Sequence, residues 1–180
     1  MEYKYITGKV LEITGSGWPD GTVLQEIYPD TSFVSGVENP KGMKMVPIIK
    51  DRKIYAKYTF EKSFEGGPGL VHGGILSTVL DDMMGYATFT QNLFCVTANL
   101  NVNFRAPSPV DKEFELYAWV KEVDGNKVYA ESVIQSEDSI HVEADGLFIN
   151  IGQDGARQYF SPEKQYPVSY THLRAHETCL

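Results

Sequence analysis

Gly66 to Gly85 reads GGPGLVHGGILSTVLDDMMG, a glycine-rich turn that runs into an amphipathic helix carrying a carboxylate. Apolar residues recur at Ile75, Leu76, Val79, Leu80, Met83, Met84 and Ala87, the i, i+1, i+4, i+5 spacing of a helix with one broad buried face. At about 100° per residue, Asp81 projects from the opposite side, with Ser77, Thr78 and Gly85 as its helical neighbours. A solvated helix face ordinarily carries Lys, Glu or Arg. The small residues here leave room for a ligand or a second helix to come close. Gly73 and Gly74 open the helix, so its first N–H groups are expected without side-chain cover, at the positive end of the helix dipole. A helix start of that kind accepts an oxyanion.

Outward from the helix the period changes to two. Met43 to Ile49 and Lys53 to Phe60 read as strands before it, the second with Ile54, Ala56, Tyr58 and Phe60 on one face. After it, Phe94 to Arg105 alternates Val96, Ala98, Leu100, Val102 and Phe104 with Thr97, Asn99, Asn101, Asn103 and Arg105, one side apolar and the other polar. Phe114 to Val123, Lys127 to Glu137 and Ile140 to Ile151 follow as further strands, the first two joined by a tight turn at Asp124, Gly125 and Asn126. Long strands with one buried helix predict an α+β fold in which an antiparallel sheet wraps the helix. The segments divide as an N-terminal extension over residues 1–32, a domain over 33–151, a C-terminal segment over 152–167 and a non-native tail over 168–180. Trp18-Pro19-Asp20-Gly21 and Pro29-Asp30 are turn signals within the extension, which is expected to pack on the domain.

The HGG turn at His72, the acid nine positions later, the Gly67-Pro68-Gly69 turn, the LDDMMG run from Leu80 to Gly85 and the VTANLNVNFRAPSP stretch from Val96 to Pro109 agree in order and spacing with one family. Over roughly Phe33 to Ile151 the chain resembles the hot-dog-fold acyl-CoA thioesterases of the PaaI-like and THEM-like kind. The resemblance implies a hot-dog fold and hydrolysis of an acyl-CoA thioester to free acid and coenzyme A. It makes Asp81 the general base or nucleophile, and it gives Thr97, sixteen positions after the acid, the role of orienting the carboxylate or water. Many members of the family carry an Asn about six positions before the His; here that position is Gly66, a lack shared by a glycine-rich subgroup.

Thioester hydrolysis needs donors for the carbonyl oxygen and a base or nucleophile near the carbonyl carbon. Gly73 and Gly74 can supply the donors and Asp81 the base, but eight residues at about 1.5 Å each hold them roughly 12 Å apart on one helix. A second helix lying antiparallel closes that distance, and the resemblance implies such a shared-site homodimer, or a dimer of dimers. His72 holds the turn by a hydrogen bond or contacts the acyl group. Asn103 and Arg105, just before the Pro107-Ser108-Pro109 break, are candidates for binding the substrate's pantetheine or phosphates. Asp82, at the edge of the apolar arc, is expected at the surface or an interface.

Composition narrows the alternatives. The chain has 180 residues, 42% hydrophobic and 22% charged, which are globular values. Its net charge of −8 disfavours nucleic acid and anionic membrane as partners. Cys95 and Cys179 suggest neither a disulfide framework nor a metal site. His172 and His176 stand at i, i+4, but Leu173 occupies the place of the Glu in an HExxH site. No metal and no separate cofactor are expected, coenzyme A being part of the substrate. The N-terminus shows no signal-peptide core and no run approaches a membrane span, so a cytoplasmic enzyme is the expectation. The competing readings are an acyl-CoA-binding hot dog without turnover and a hot-dog hydratase or dehydratase. The second would need a catalytic His, for which His141 stands in a late strand without a motif.

Overall fold

The computed structural model describes residues 18–25, 28, 30–137 and 139–159. The tail expected over 168–180, with His172 and His176, lies outside them, as do residues 1–17. Helix α1, Gly73–Thr90, follows the apolar period. Its Leu76, Val79, Leu80, Met83 and Met84 are all at most 2% exposed, and each such burial stabilises the fold by roughly 1.5–3 kcal/mol. Asn92, at φ 60, ends the helix in the left-handed region, where the N–H of Leu93 closes on the carbonyl of Thr88.

That helix lies on one face of a sheet built from β1 (Ile48–Lys50), β2 (Lys53–Thr59), β3 (Cys95–Phe104), β4 (Glu113–Asp124), β5 (Lys127–Ser136) and β6 (Ser139–Asn150). The spatial order is β1-β2-β4-β5-β6-β3, antiparallel throughout. This is the α+β hot-dog architecture. Rows of small residues run across the helix-facing side: Ala118, Ser132 and Ala144 stand in register, as do Ala130 and Gly146. They let the helix come close to the sheet. A Cβ at Gly146 would sit 3.2 Å from the Met84 methyl and 2.7 Å from the Phe148 ring. Larger side chains, Phe60, Phe114, Leu116, Ile134 and Phe148, close the core around this contact.

One expected strand is mostly absent. Met43 to Ile49 contributes only its last two residues to β1, because Lys44 adopts φ 57 and Pro47 has no N–H to give a ladder. Met43 and Met45 are nonetheless buried, their N–H groups donating to Phe33 and Val34 carbonyls. Two of the hairpins form on tight turns with positive φ: Asp51 and Arg52 between β1 and β2, and Gly125, at φ 58, between β4 and β5. From the N-terminal part, Val23 bridges Ile48 and Leu24 is fully buried in the core. A short helix α2, Gly152–Tyr159, follows β6 and buries Ala156.

Chain order decides the edge. β3 leaves the helix and pairs with β6, the last strand, so a ten-residue strand stands at one end of the sheet with its outer backbone groups unpaired among the described residues.

Candidate active site

The helix start is more occupied than its glycines suggest. His72 is the N-cap residue, and its Nδ1 accepts the N–H of Gly74 at 2.9 Å, which requires a neutral ring with its proton on Nε2. The His72 carbonyl accepts from Ile75 at 2.9 Å and from Leu76 at 3.2 Å. Gly74, expected as an oxyanion donor, is therefore already satisfied within the chain. Gly73 N–H is the donor left free at this end among the described residues. His72 holds the turn by its hydrogen bond with Gly74, and its ring needs the space behind it. A Cβ at Gly66 would lie 2.8 Å from the His72 Cα. That contact is a physical reason for glycine at this position. The turn itself is closed by Gly66 N–H to the Leu70 carbonyl at 2.9 Å, with Gly69 at φ 75.

Asp81 and Thr97 meet directly: the Thr97 hydroxyl donates to Asp81 Oδ1 at 2.9 Å. Strict alternation along β3 would forbid this, since it places Thr97 with Asn99, Asn101 and Asn103 on the polar side. A bulge between Thr97 and Asn99 changes the register: Thr97 stands opposite Phe148, Leu100 opposite Gly146 and Val102 opposite Ala144. Residues opposite one another share a face, so Thr97 joins the helix-facing set with Leu100 and Val102. Ala98 is the inserted residue, and the apolar row expected through it is broken there. Burial raises the Asp81 carboxyl above the usual carboxylate range, and the Thr97 hydrogen bond offsets part of that rise.

Asp82, expected at the surface or an interface, is only partly exposed. Its Oδ2 is buried without a hydrogen-bond partner, and its carboxyl is pushed up to about 7, first by burial and then by the charge of Asp81. It lies at the helix edge that Tyr28 covers. The Tyr28 ring packs edge-on against Tyr86 at 4.4 Å and Phe89 at 5.5 Å, and its hydroxyl sits 2.5 Å from where a Cβ of Gly85 would be. The space left by small residues beside Asp81 is thus filled, on the Gly85 side, by this chain's own Tyr28. Gly85 is the legible half of that contact; nothing in the period of the first thirty residues marks its partner.

Beside the helix start lies a groove of about 410 Å³ whose lining includes Leu70, Gly73, Leu76, Phe104, Pro107 and Ser108. Phe104 is 56% exposed, and its ring is 3.2 Å from a Cβ built on Gly73. Asp81 does not line this groove, as the helix distance requires. Asn103 and Arg105 do not converge with Asp81 either. Asn103 stands opposite Glu143 on the face away from the helix, whereas Arg105 lines the groove with its guanidinium paired with Glu143. The part played by His141 is structural. Its ring bridges the Ser136 hydroxyl and the Pro107 carbonyl, and its own carbonyl accepts from Arg105 and Ala106. It anchors the loop that floors the groove.

Residues 68–142, which contain the helix start, the acid, Thr97 and the edge strand, match the family model of the thioesterase superfamily. Over those residues the chain is similar to the thioesterase superfamily. Acyl-coenzyme A thioesterase THEM4 of Rattus norvegicus is 29% identical over 106 residues, 58% of this chain and 46% of that protein. A Candida albicans protein named "Uncharacterized protein, mitochondrial" is 30% identical over 115 residues, 61% of this chain and 50% of that protein. The chain thus spans about half the length of the curated relatives it matches. Among solved structures, a thioesterase superfamily protein at 28% identity superposes with a TM-score of 0.63, covering 66% of this chain and 62% of that one. A thioesterase protein of Streptococcus pneumoniae TIGR4 solved with coenzyme A shares the fold at 18% identity, with a TM-score of 0.54 over 58% of this chain and 85% of that one. No helix among the described residues is long and apolar enough to cross a membrane.

Proposed function

We propose that this chain hydrolyses acyl-CoA thioesters, with Asp81 as general base. The observation that carries the reading is the hydrogen bond from Thr97 to Asp81 across a bulged edge strand. It holds Oδ1 and leaves Oδ2 to take a proton from water, while partial burial keeps the carboxylate more basic than a solvated one. The hydroxide formed adds to the thioester carbonyl carbon. The charge that develops on oxygen is met by a Gly73 N–H at the positive end of a helix. Collapse of the tetrahedral adduct breaks the carbon–sulfur bond, and the proton held by Asp81 passes to the departing thiolate. The products are the free acid and coenzyme A.

Gly73 and Asp81 of one chain are roughly 12 Å apart on α1 and cannot serve one carbonyl. Two copies joined edge to edge at β3, with their helices antiparallel, bring each Asp81 towards Gly73 of the partner subunit. The unpaired β3 edge supports this homodimer. Relatives named acyl-CoA thioesterase and a fold neighbour holding coenzyme A support the substrate class. The cytoplasmic expectation meets a relative named mitochondrial, and fractionation of the native host decides between the two compartments.

The test is release of free coenzyme A thiol from a series of acyl-CoA substrates by the wild type and by Asp81→Asn. The variant should lose about a hundredfold or more, the scale of a removed general base, while remaining folded. Turnover by Asp81→Asn at the wild-type rate would remove Asp81 from the reaction.

A further inference from the structure

We infer that Tyr28 closes the acyl end of the site and restricts the protein to short acyl groups, an inference that rests on the thioesterase reading of Asp81. Along the face of α1 that carries Asp81, the two directions differ. Towards the helix start, the Ser77 and Thr78 hydroxyls are turned onto the Gly73 and Gly74 carbonyls, and the face is polar. Towards the helix end, the next residue on the face is Gly85, about 6 Å on, and the space above it holds the Tyr28 hydroxyl.

The surroundings assign that second direction to hydrocarbon. Tyr28 packs on Tyr86 and Phe89. Burial pushes the thiol of Cys95, on the helix-facing side of β3, up to about 11. A phosphate-bearing coenzyme A arm finds no cation there among these neighbours, whereas a short alkyl chain finds a dry aromatic wall. The acyl chain therefore points at Tyr28, and the arm leaves on the side away from it. Among the described residues, the phenol alone stands over Gly85 between that chain and the continuation of the helix face.

Non-hydrolysable S-alkyl-CoA thioethers test this without depending on turnover. Calorimetric titration with the butyl and octyl thioethers should show little or no gain from the longer chain in the wild type. In Tyr28→Ala each methylene admitted should tighten binding about fourfold, so the octyl compound should bind at least tenfold more tightly than the butyl. The ratio of the two affinities within one variant does not move when a substitution merely destabilises the fold. Tyr28→Phe, which removes only the hydroxyl over Gly85, should shift the ratio in the same direction by a few-fold, and it decides the question if Tyr28→Ala does not fold. An unchanged ratio in the folded variants overturns the inference. Thioethers that bind in the expected order to a protein that hydrolyses no acyl-CoA leave the inference standing and overturn the thioesterase reading; no binding of any thioether overturns both.

Discussion

Replacing Asp82 with Asn should flatten the pH dependence of stability, and the size of the effect follows from where the carboxyl sits. Asp82 Oδ2 is buried without a partner, beside the charge of Asp81, and the group is held at about 7 against an ordinary value of 3.8. A folded-state value raised above the unfolded one means that the native chain holds the proton more tightly. Below about pH 4 both states are protonated and Asp82 contributes no penalty. Between about 4 and 7 the unfolded chain ionises while the folded chain does not, so stability falls by up to about 1.4 kcal/mol per pH unit. Above about 7 both are ionised and the loss levels off, at roughly 4 kcal/mol as an upper limit. Asparagine has no proton to hold and escapes this fall. Urea unfolding of both proteins at fixed protein concentration from pH 4.5 to 8.5 reads the effect, because the other titrating groups cancel in the difference. The stability of Asp82→Asn relative to wild type should rise across that range by a few kcal/mol. Two curves that stay parallel would refute the burial argument.

Thr97→Val keeps the shape but removes the donor that holds the Asp81 carboxyl down, so the acid limb of the pH–rate profile should move to higher pH; an unmoved limb would separate Thr97 from the acid. Gly73→Pro removes the free donor at the first helical position, where proline is well tolerated, and its homodimer should be nearly inactive. Mixed with Asp81→Asn under subunit exchange, it should restore roughly a quarter of wild-type activity by random pairing, and no recovery despite exchange seen by native mass spectrometry would place donor and acid in one chain. His72→Ala removes the cap on Gly74 and should cost about 1 kcal/mol in urea unfolding; an unchanged midpoint would show that the ring is dispensable to the turn.

Local pattern makes the helix, its buried face and the position of Asp81 legible, because a 3.6-residue period and its breakers act over neighbouring residues. The same is true of the β4-β5 hairpin, whose turn needs a residue at positive φ and has Gly125 there. Three features depend on contacts between distant segments. Thr97 belongs to the polar side by alternation and reaches Asp81 only because a bulge inserts Ala98 against β6, a register decided by pairing across the sheet. Gly74 looks like a free donor until the preceding His72 ring folds back on it, a fold that Gly66 permits by lacking a Cβ. By its period Asp82 belongs at the surface or an interface, and tertiary packing buries its Oδ2. Periodicity says which way a side chain points; what fills the space it points into is set by parts of the chain brought there by the fold.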